Sequence, residues 1–288
     1  MAKILDGKKV TEIIFENIKK EVTELEKKPK LAVILVGNNP ASQIYVRIKQ
    51  KRAISLGFDS IDIKYPETIT EDELLTVIKE LNEDKTVNAI LIQLPLPKSI
   101  NTSKVINVIN PIKDVDGFHP ENVGKLTSNQ KPYAIACTAR GILELLNYYK
   151  IDIEGKNVVV IGRSNIVGTP VARLLQNKNA TVTVCHSKTA NIKEHTLKAD
   201  IIICAIGSPK FLKEDMVKDG AIIVDVGINR IDDDFGGYKL VGDTDFENLF
   251  DKASYITPVP KGVGPMTIAG LMQNTLDLYK LQNNLKIN

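Results

Sequence analysis

Tyr45 and Lys49 stand four residues apart in Ala41-Ser42-Gln43-Ile44-Tyr45-Val46-Arg47-Ile48-Lys49, a stretch of helical periodicity, so their side chains share a face. A phenol beside an ammonium can orient a planar ligand and move protons. A tyrosine at the rim of an ordinary amphipathic helix gives the same spacing. Gln93 lies in the apolar strand Ala89 to Leu94, which Pro95 and Pro97 halt; an amide there needs a hydrogen-bond partner, structural or otherwise. Asp116 stands in Lys113-Asp114-Val115-Asp116-Gly117, where an ionised carboxylate could accept from two adjacent N–H donors. Asp-Gly is equally the mark of a plain turn. Near the end, Thr257 to Thr267 contains Pro260, Lys261, Gly262, Val263 and Gly264 and leads into a helix. That density of fixed and permissive backbone positions reads as a shaped binding loop.

The segment Val158 to Gly168 reads as strand, glycine-bearing loop and helix. Such a turn aims backbone N–H groups and a helix dipole at an anion such as a pyrophosphate. Gly162 suits the tight turn, while Ser164 replaces the middle glycine of the usual dinucleotide fingerprint. An ordinary loop of a parallel sheet has the same outline. The following strand ends Cys185-His186-Ser187-Lys188, without the acid that holds a ribose 2′-hydroxyl in NAD-binding folds. Arg163 and Ser187 suit a 2′-phosphate, so the expected cofactor is NADP.

These groups need elements to hold them. Helix-period and strand-like segments alternate along 288 residues, the pattern of an α/β fold with parallel strands. Strands are expected at Leu31–Val36, Ala89–Leu94, Asn157–Ile161, Thr181–Cys185, Ile201–Ile206 and Ile222–Val226. Thr70-x-x-Glu73 is a capping box opening a helix through Leu81. Residues 232–237 read as a hairpin turn, and the last helix is expected from Met266 to Leu281. A domain boundary is expected between 138 and 155. The charge of +3 is too small to argue for nucleic acid or an anionic membrane. No signal peptide or membrane-length apolar run is expected. Three scattered cysteines fit a reducing compartment, and the three histidines lack ligand spacing, so no metal is expected.

Taken together, Ala41–Lys49, Gln93–Pro97, Lys113–Gly117, Gly162–Gly168, Asp225–Asn229 and Pro258–Thr267 resemble the bifunctional methylenetetrahydrofolate dehydrogenase/cyclohydrolase family, in order and over almost the whole chain. The resemblance implies an N-terminal αβα folate-binding domain, residues 1–139, completed by a C-terminal helix at 265–288. It implies a Rossmann-like NADP-binding domain at 140–264, a cleft between the two, and a cytoplasmic homodimer acting on tetrahydrofolate derivatives. By motif, the catalytic and folate-contacting residues would be Tyr45, Lys49, Gln93 and Asp116. Gly162, Arg163, Ser164, Ser187 and Ile228 would contact NADP, and Pro260, Lys261, Gly262, Val263 and Gly264 would line the substrate pocket. The family commonly has glycine where this chain has Lys261. If that position is left-handed, a side chain there costs roughly 1–2 kcal/mol; its ammonium could instead meet the folate glutamate tail. Two other readings remain. One is a different NADP oxidoreductase using Tyr45 and Lys49 on a carbonyl, though in short-chain dehydrogenases that pair follows the nucleotide loop, whereas here it precedes Gly162. The other is a nucleotide-sensing protein without turnover.

Overall fold

Leu31 to Val36 offer no polar side chain to either face, which suits a strand covered on both sides. In the computed structural model, which describes residues 1–232 and 237–287, this run is the centre of a parallel sheet. The strands are β1 (Lys3–Ile4), β2 (Lys30–Val36), β3 (Asp59–Tyr65), β4 (Ala89–Ile92), β5 (Asn157–Ile161), β6 (Thr181–Cys185), β7 (Ile201–Cys204), β8 (Ile222–Asp225), β9 (Asn229–Asp232), β10 (Tyr238–Val241) and β11 (Tyr255–Ile256). The α-helices are α1 (Gly7–Thr23), α2 (Pro40–Ser55), α3 (Glu71–Glu83), α4 (Thr102–Val108), α5 (Pro120–Thr127), α6 (Cys137–Tyr148), α7 (Gly168–Gln176), α8 (Ile192–Thr196), α9 (Phe246–Leu249) and α10 (Val263–Gln282).

The chain forms two compact α/β units, one of Ile14–Cys137 and Leu271–Asn288, the other of Met1–Ile13 and Thr138–Gly270. The first unit holds the three-stranded sheet β3-β2-β4, parallel throughout, with Lys30 opposite Asp59 and Leu31 opposite Ala89. Its α3 begins where the sequence places it: Thr70 Oγ1 accepts from Glu73 N, and the Glu73 carboxylate accepts from Thr70 N at 2.8 Å. The buried stripe Leu74, Leu75, Ile78 and Leu81 then packs against Ile34 and Ile90 of the sheet. Truncating the fully buried Ile78 to alanine would cost about 2–5 kcal/mol.

The second unit holds the six-stranded sheet β1-β11-β8-β7-β5-β6, again parallel. Ile161, Ile202, Cys204, Ile223 and Ile256 belong to its core. β9 and β10 pair antiparallel beside it; of the hairpin turn expected at 232–237, residues 233–236 lie outside the described residues.

Several boundaries differ from the sequence expectation. Residues 1–13 belong to the six-stranded unit, not to a domain of 1–139, because Lys3 and Ile4 pair with Tyr255 and Ile256. The helix expected from 265 or 266 starts at Val263, and its residues through Gly270 also belong to that unit. β7 stops at Cys204 because the backbone beyond it turns to donate N–H groups to Asp243. β4 stops at Ile92, so Gln93 lies just past the strand, although its N–H still bonds Ile34 O. β3 was not expected; Ile61, Ile63 and Tyr65 carried its period-two signal.

Candidate active site

In the three-stranded unit, α2 is started by Asn39, whose side chain accepts from Ser42 N, and by Pro40. One turn in, Tyr45 is 45% exposed, while Lys49 is half-buried. Lys49 Nζ donates to Gln93 Oε1 at 3.0 Å. Gln93 Nε2 in turn donates to Leu94 O at 2.8 Å, which fixes the oxygen toward Lys49. The Leu94–Pro95 peptide is cis. The polar residue at the end of an apolar strand thus has its partner in Lys49.

Asp116 reaches the same neighbourhood from another segment. Asp114 makes a parallel bridge with Ile90 of β4, which lays residues 113–117 beside the sheet. Gly117 turns the chain at φ +69°, and a Cβ there would lie 2.7 Å from Ala136 N, so the turn admits only glycine. Burial raises the half-buried Asp116 carboxyl to about 6; the nearby Lys49 charge pulls it down, and Asp114 pushes it further up. The Cys137 thiol also donates weakly to it, at 3.6 Å.

The loop carrying Asp116 is pinned to two elements, α10 and the end of α3, by three residues that sequence reasoning missed. Asn274, fully buried on α10, donates to Val115 O at 2.8 Å and Ile135 O at 2.7 Å. Gln282 donates to Ile112 O at 2.8 Å. The buried Lys113 ammonium donates to the carbonyls of Leu81, Asn82 and Asp84, at the end of α3. Burial holds the Lys113 pKa below its ordinary value. The available signal was polarity in the wrong place: Asn274 interrupts the apolar face of a helix and must be satisfied somewhere.

In the six-stranded unit the residues expected to hold a nucleotide gather at the carboxyl ends of the strands. Gly162 follows β5 at φ +119°, and its Cβ would lie 2.2 Å from Ala205 O. A Cβ on Gly168, the first residue of α7, would lie 2.2 Å from Gly162 O. Both glycines therefore permit a close strand–helix turn. Ser164 Oγ sits at that helix N-terminus, accepting from Val167 N at 3.2 Å and Gly168 N at 3.4 Å. Arg163 and Ser164 are exposed, as is Ser187 beyond neighbouring β6. Ile228, 44% exposed beyond β8, joins Pro260–Gly264 around a cavity of about 220 Å³. Val259–Pro260 is cis, and Lys261 has φ +86°, in the left-handed region. Its carbonyl accepts from Lys8 N at 3.0 Å.

The structure thus brings Lys49, Gln93 and Asp116 together in one unit, and Ile228 with the 260–264 loop in the other. Among the described residues no cluster of His, Cys, Asp or Glu could hold a metal, and no helix is long and apolar enough to cross a membrane.

An open parallel sheet with a close glycine turn at its carboxyl edge defines the dinucleotide-linked class of α/β enzymes. Comparison with known proteins narrows that class. Residues 136–283 match the NAD(P)-binding domain of tetrahydrofolate dehydrogenase/cyclohydrolase, and residues 5–116 match its catalytic domain. The chain belongs to the tetrahydrofolate dehydrogenase/cyclohydrolase family. It is 54% identical to the bifunctional protein FolD of Sulfurihydrogenibium sp. over 96% of this chain and 97% of that one. The crystal structure of the bifunctional FolD enzyme from Campylobacter jejuni superposes with a TM-score of 0.94 at 48% identity, covering 99% and 100% of the two chains. That of the Trypanosoma brucei methylenetetrahydrofolate dehydrogenase-cyclohydrolase, complexed with NADP and an inhibitor, gives 0.92 at 39% identity, covering 97% and 98%.

Proposed function

We propose that the protein oxidises 5,10-methylenetetrahydrofolate with NADP⁺ to the 5,10-methenyl form and hydrolyses that product to 10-formyltetrahydrofolate. The observation that carries the reading is the Lys49–Gln93 pair in the electrostatic field of Asp116. A Tyr–Lys carbonyl oxidoreductase is disfavoured, since Lys49 is already turned to Gln93 and α2 lies outside the unit with the glycine turn.

In the first reaction a hydride leaves the one-carbon bridge, which becomes an amidinium cation; bound NADP⁺ supplies the acceptor. The protein has little proton transfer to perform here, so positioning dominates. Tyr45 stacks on the folate, and its π face tolerates the developing cation. Asp116, once ionised, accepts from adjacent N–H donors of the pterin. In the second reaction water adds to the bridge carbon, one C–N bond opens, and a proton is released. Lys49 Nζ handles that proton or donates to the oxygen of the tetrahedral species. Gln93 Oε1 engages one Nζ–H and so aims the rest of the group.

A Cβ at Gly162 or Gly168 would strike backbone at 2.2 Å, so the two glycines permit the close strand–helix turn that dinucleotide-binding folds use. Gly162, Arg163, Ser164, Ser187 and Ile228 contact the dinucleotide in this reading. Arg163 and Ser187, with no acid at the end of β6, favour the 2′-phosphate; the NADP complex of the trypanosomal relative supports that choice. Pro260, Lys261, Gly262, Val263 and Gly264 line the substrate side. The reading also takes the protein to be a cytoplasmic homodimer.

The test is a paired assay of purified protein on 5,10-methylenetetrahydrofolate with NADP⁺ and then NAD⁺, following reduced nicotinamide together with methenyl and 10-formyl products. NADP⁺-dependent reduction that continues to 10-formyl product is expected. Stalling at methenyl would remove Lys49 from its role, and no turnover with either nucleotide would leave a nucleotide-sensing protein.

A further inference from the structure

Asp243 lies between the strands whose ends form the nucleotide side of the six-stranded unit, yet its own side chain is fully buried. Its carboxylate accepts from three consecutive backbone N–H groups: Ile206 at 2.7 Å, Gly207 at 3.0 Å and Ser208 at 2.8 Å. It also accepts from Asn229 Nδ2 at 2.9 Å. The same oxygens press on Gly227, whose Cβ would lie 2.1 Å from Asp243 Oδ1. One side chain therefore ties the segment after β7 to the segment after β8. Asp225 completes the frame by accepting from Asp243 N at 2.9 Å, Thr244 N at 2.8 Å and Gly227 N at 3.0 Å.

Both tied segments bear on the nucleotide residues. Ala205, at the head of the first, sits against Gly162, and Ile228 lies in the second. Three successive N–H groups converging on one point form a nest of the kind that binds anions. Here an internal carboxylate fills that nest. With these three donors already engaged, they are not free for an external anion.

We propose that Asp243 is a positioning residue for the dinucleotide, holding the loops after β7 and β8 in register with the Gly162 turn and closing a competing anion site. The proposal rests on the reading that this unit takes NADP⁺. Asp243→Asn keeps the shape but turns an amide donor toward backbone donors; Asn229→Ala removes one of the four bonds and leaves the carboxylate intact. The experiment measures NADP⁺ binding by calorimetry, KM for NADP⁺ in the dehydrogenase assay, and cyclohydrolase turnover of methenyltetrahydrofolate without nucleotide. Asp243→Asn is expected to weaken NADP⁺ at least about tenfold and leave nucleotide-free cyclohydrolase within about twofold; Asn229→Ala should shift NADP⁺ about threefold in the same direction. Unchanged NADP⁺ affinity in either folded variant, or parallel loss of both activities, would overturn the proposal. If Asp243→Asn does not fold, Asn229→Ala alone decides. Wild-type protein that fails to bind NADP⁺ would instead refute the functional reading.

Discussion

In the three-stranded unit, the loop beside β4 is held by donors. Asn274 and Gln282 donate to the carbonyls of Val115 and Ile112, the Lys113 ammonium donates to those at the end of α3, and the carboxylate of Asp116 is left half-buried. In the six-stranded unit the pinning is inverted. Asp225 and Asp243 are themselves buried and accept from backbone N–H groups, while the exposed side chains at the strand ends are Arg163, Ser164, Ser187 and Ile228. Under the proposed function, each arrangement leaves the charge that its ligand would need: an acceptor for the N–H edge of a pterin, and cationic or hydroxyl donors for a phosphate. In that proposal the group used for scaffolding in one unit is the group that recognises ligand in the other.

The largest test of that contrast is Lys49→Ala. General acid–base groups contribute about 10²–10⁴-fold, so 10-formyl production should fall by that range. Dehydrogenase turnover, which asks for positioning alone, should fall by no more than about tenfold. Equal small losses in both would remove Lys49 from proton transfer and leave its bond to Gln93 as a structural contact.

Next comes Asp116→Ala. Losing a hydrogen-bonding charged group costs about 1.5–3 kcal/mol, or roughly 10- to 100-fold in folate KM for both reactions. The pH dependence sharpens it. Burial raises the Asp116 carboxyl from 3.8 to about 6, so the native protein retains a proton there that the unfolded chain has released. Its contribution to stability is therefore full below the ordinary value and lost as pH rises through about 6. The ionised acceptor dominates above that point. Folate KM should thus climb as pH falls through about 6, a rise absent from Asp116→Ala. A flat KM profile in the wild type would place Asp116 among the scaffolding carboxylates and dissolve the comparison.

A third, smaller effect concerns the other unit. Arg163→Ala should raise KM for NADP⁺ about tenfold while leaving that for NAD⁺ nearly unchanged, since only the former carries the extra phosphate. Kinetics with the two nucleotides read the ratio directly. An equal rise for both would mean that Arg163 serves the shared pyrophosphate.

How far such assignments reach from sequence depends on whether a residue's partner is near in the chain. That Tyr45 and Lys49 stand on one helix was legible because their spacing is helical. The Thr70 capping box and the Gly162 turn were legible because each is complete within a few residues. Gln93 announced an unmet polar need, though not that Lys49 met it. The buried contacts of Asn274 and Asp243 were invisible because their partners lie 159 and 37 positions away, at Val115 and Ile206. The two-residue strand β1 was equally invisible: so short a segment has no periodicity, and only its pairing with β11 makes it a strand. The fold class therefore came from local pattern, whereas the supports of both sites are set by tertiary contact.

Lys261 supplies the smallest effect and bears on why the loop from Pro258 to Gly264 keeps a side chain where the backbone prefers none. With φ +86°, the residue occupies the left-handed region, at roughly 1–2 kcal/mol for an L-amino acid. Glycine would remove that strain but would add backbone freedom to the unfolded chain, returning about 0.4–1 kcal/mol. Lys261→Gly should therefore stabilise the protein by about 0.5–1 kcal/mol net, seen as a rise of a few degrees in Tm. Lys261 is exposed, so no core contact is lost to offset the gain. A fall in Tm would show that the lysine stem packs more favourably than its exposure implies. With Tm raised, KM for mono- and polyglutamylated folates separates the remaining roles. A selective loss of the polyglutamylated form assigns the ammonium to substrate carboxylates, as a cation retained for recognition at a cost in stability. Equal KM values for the two forms would leave the strain without a functional return.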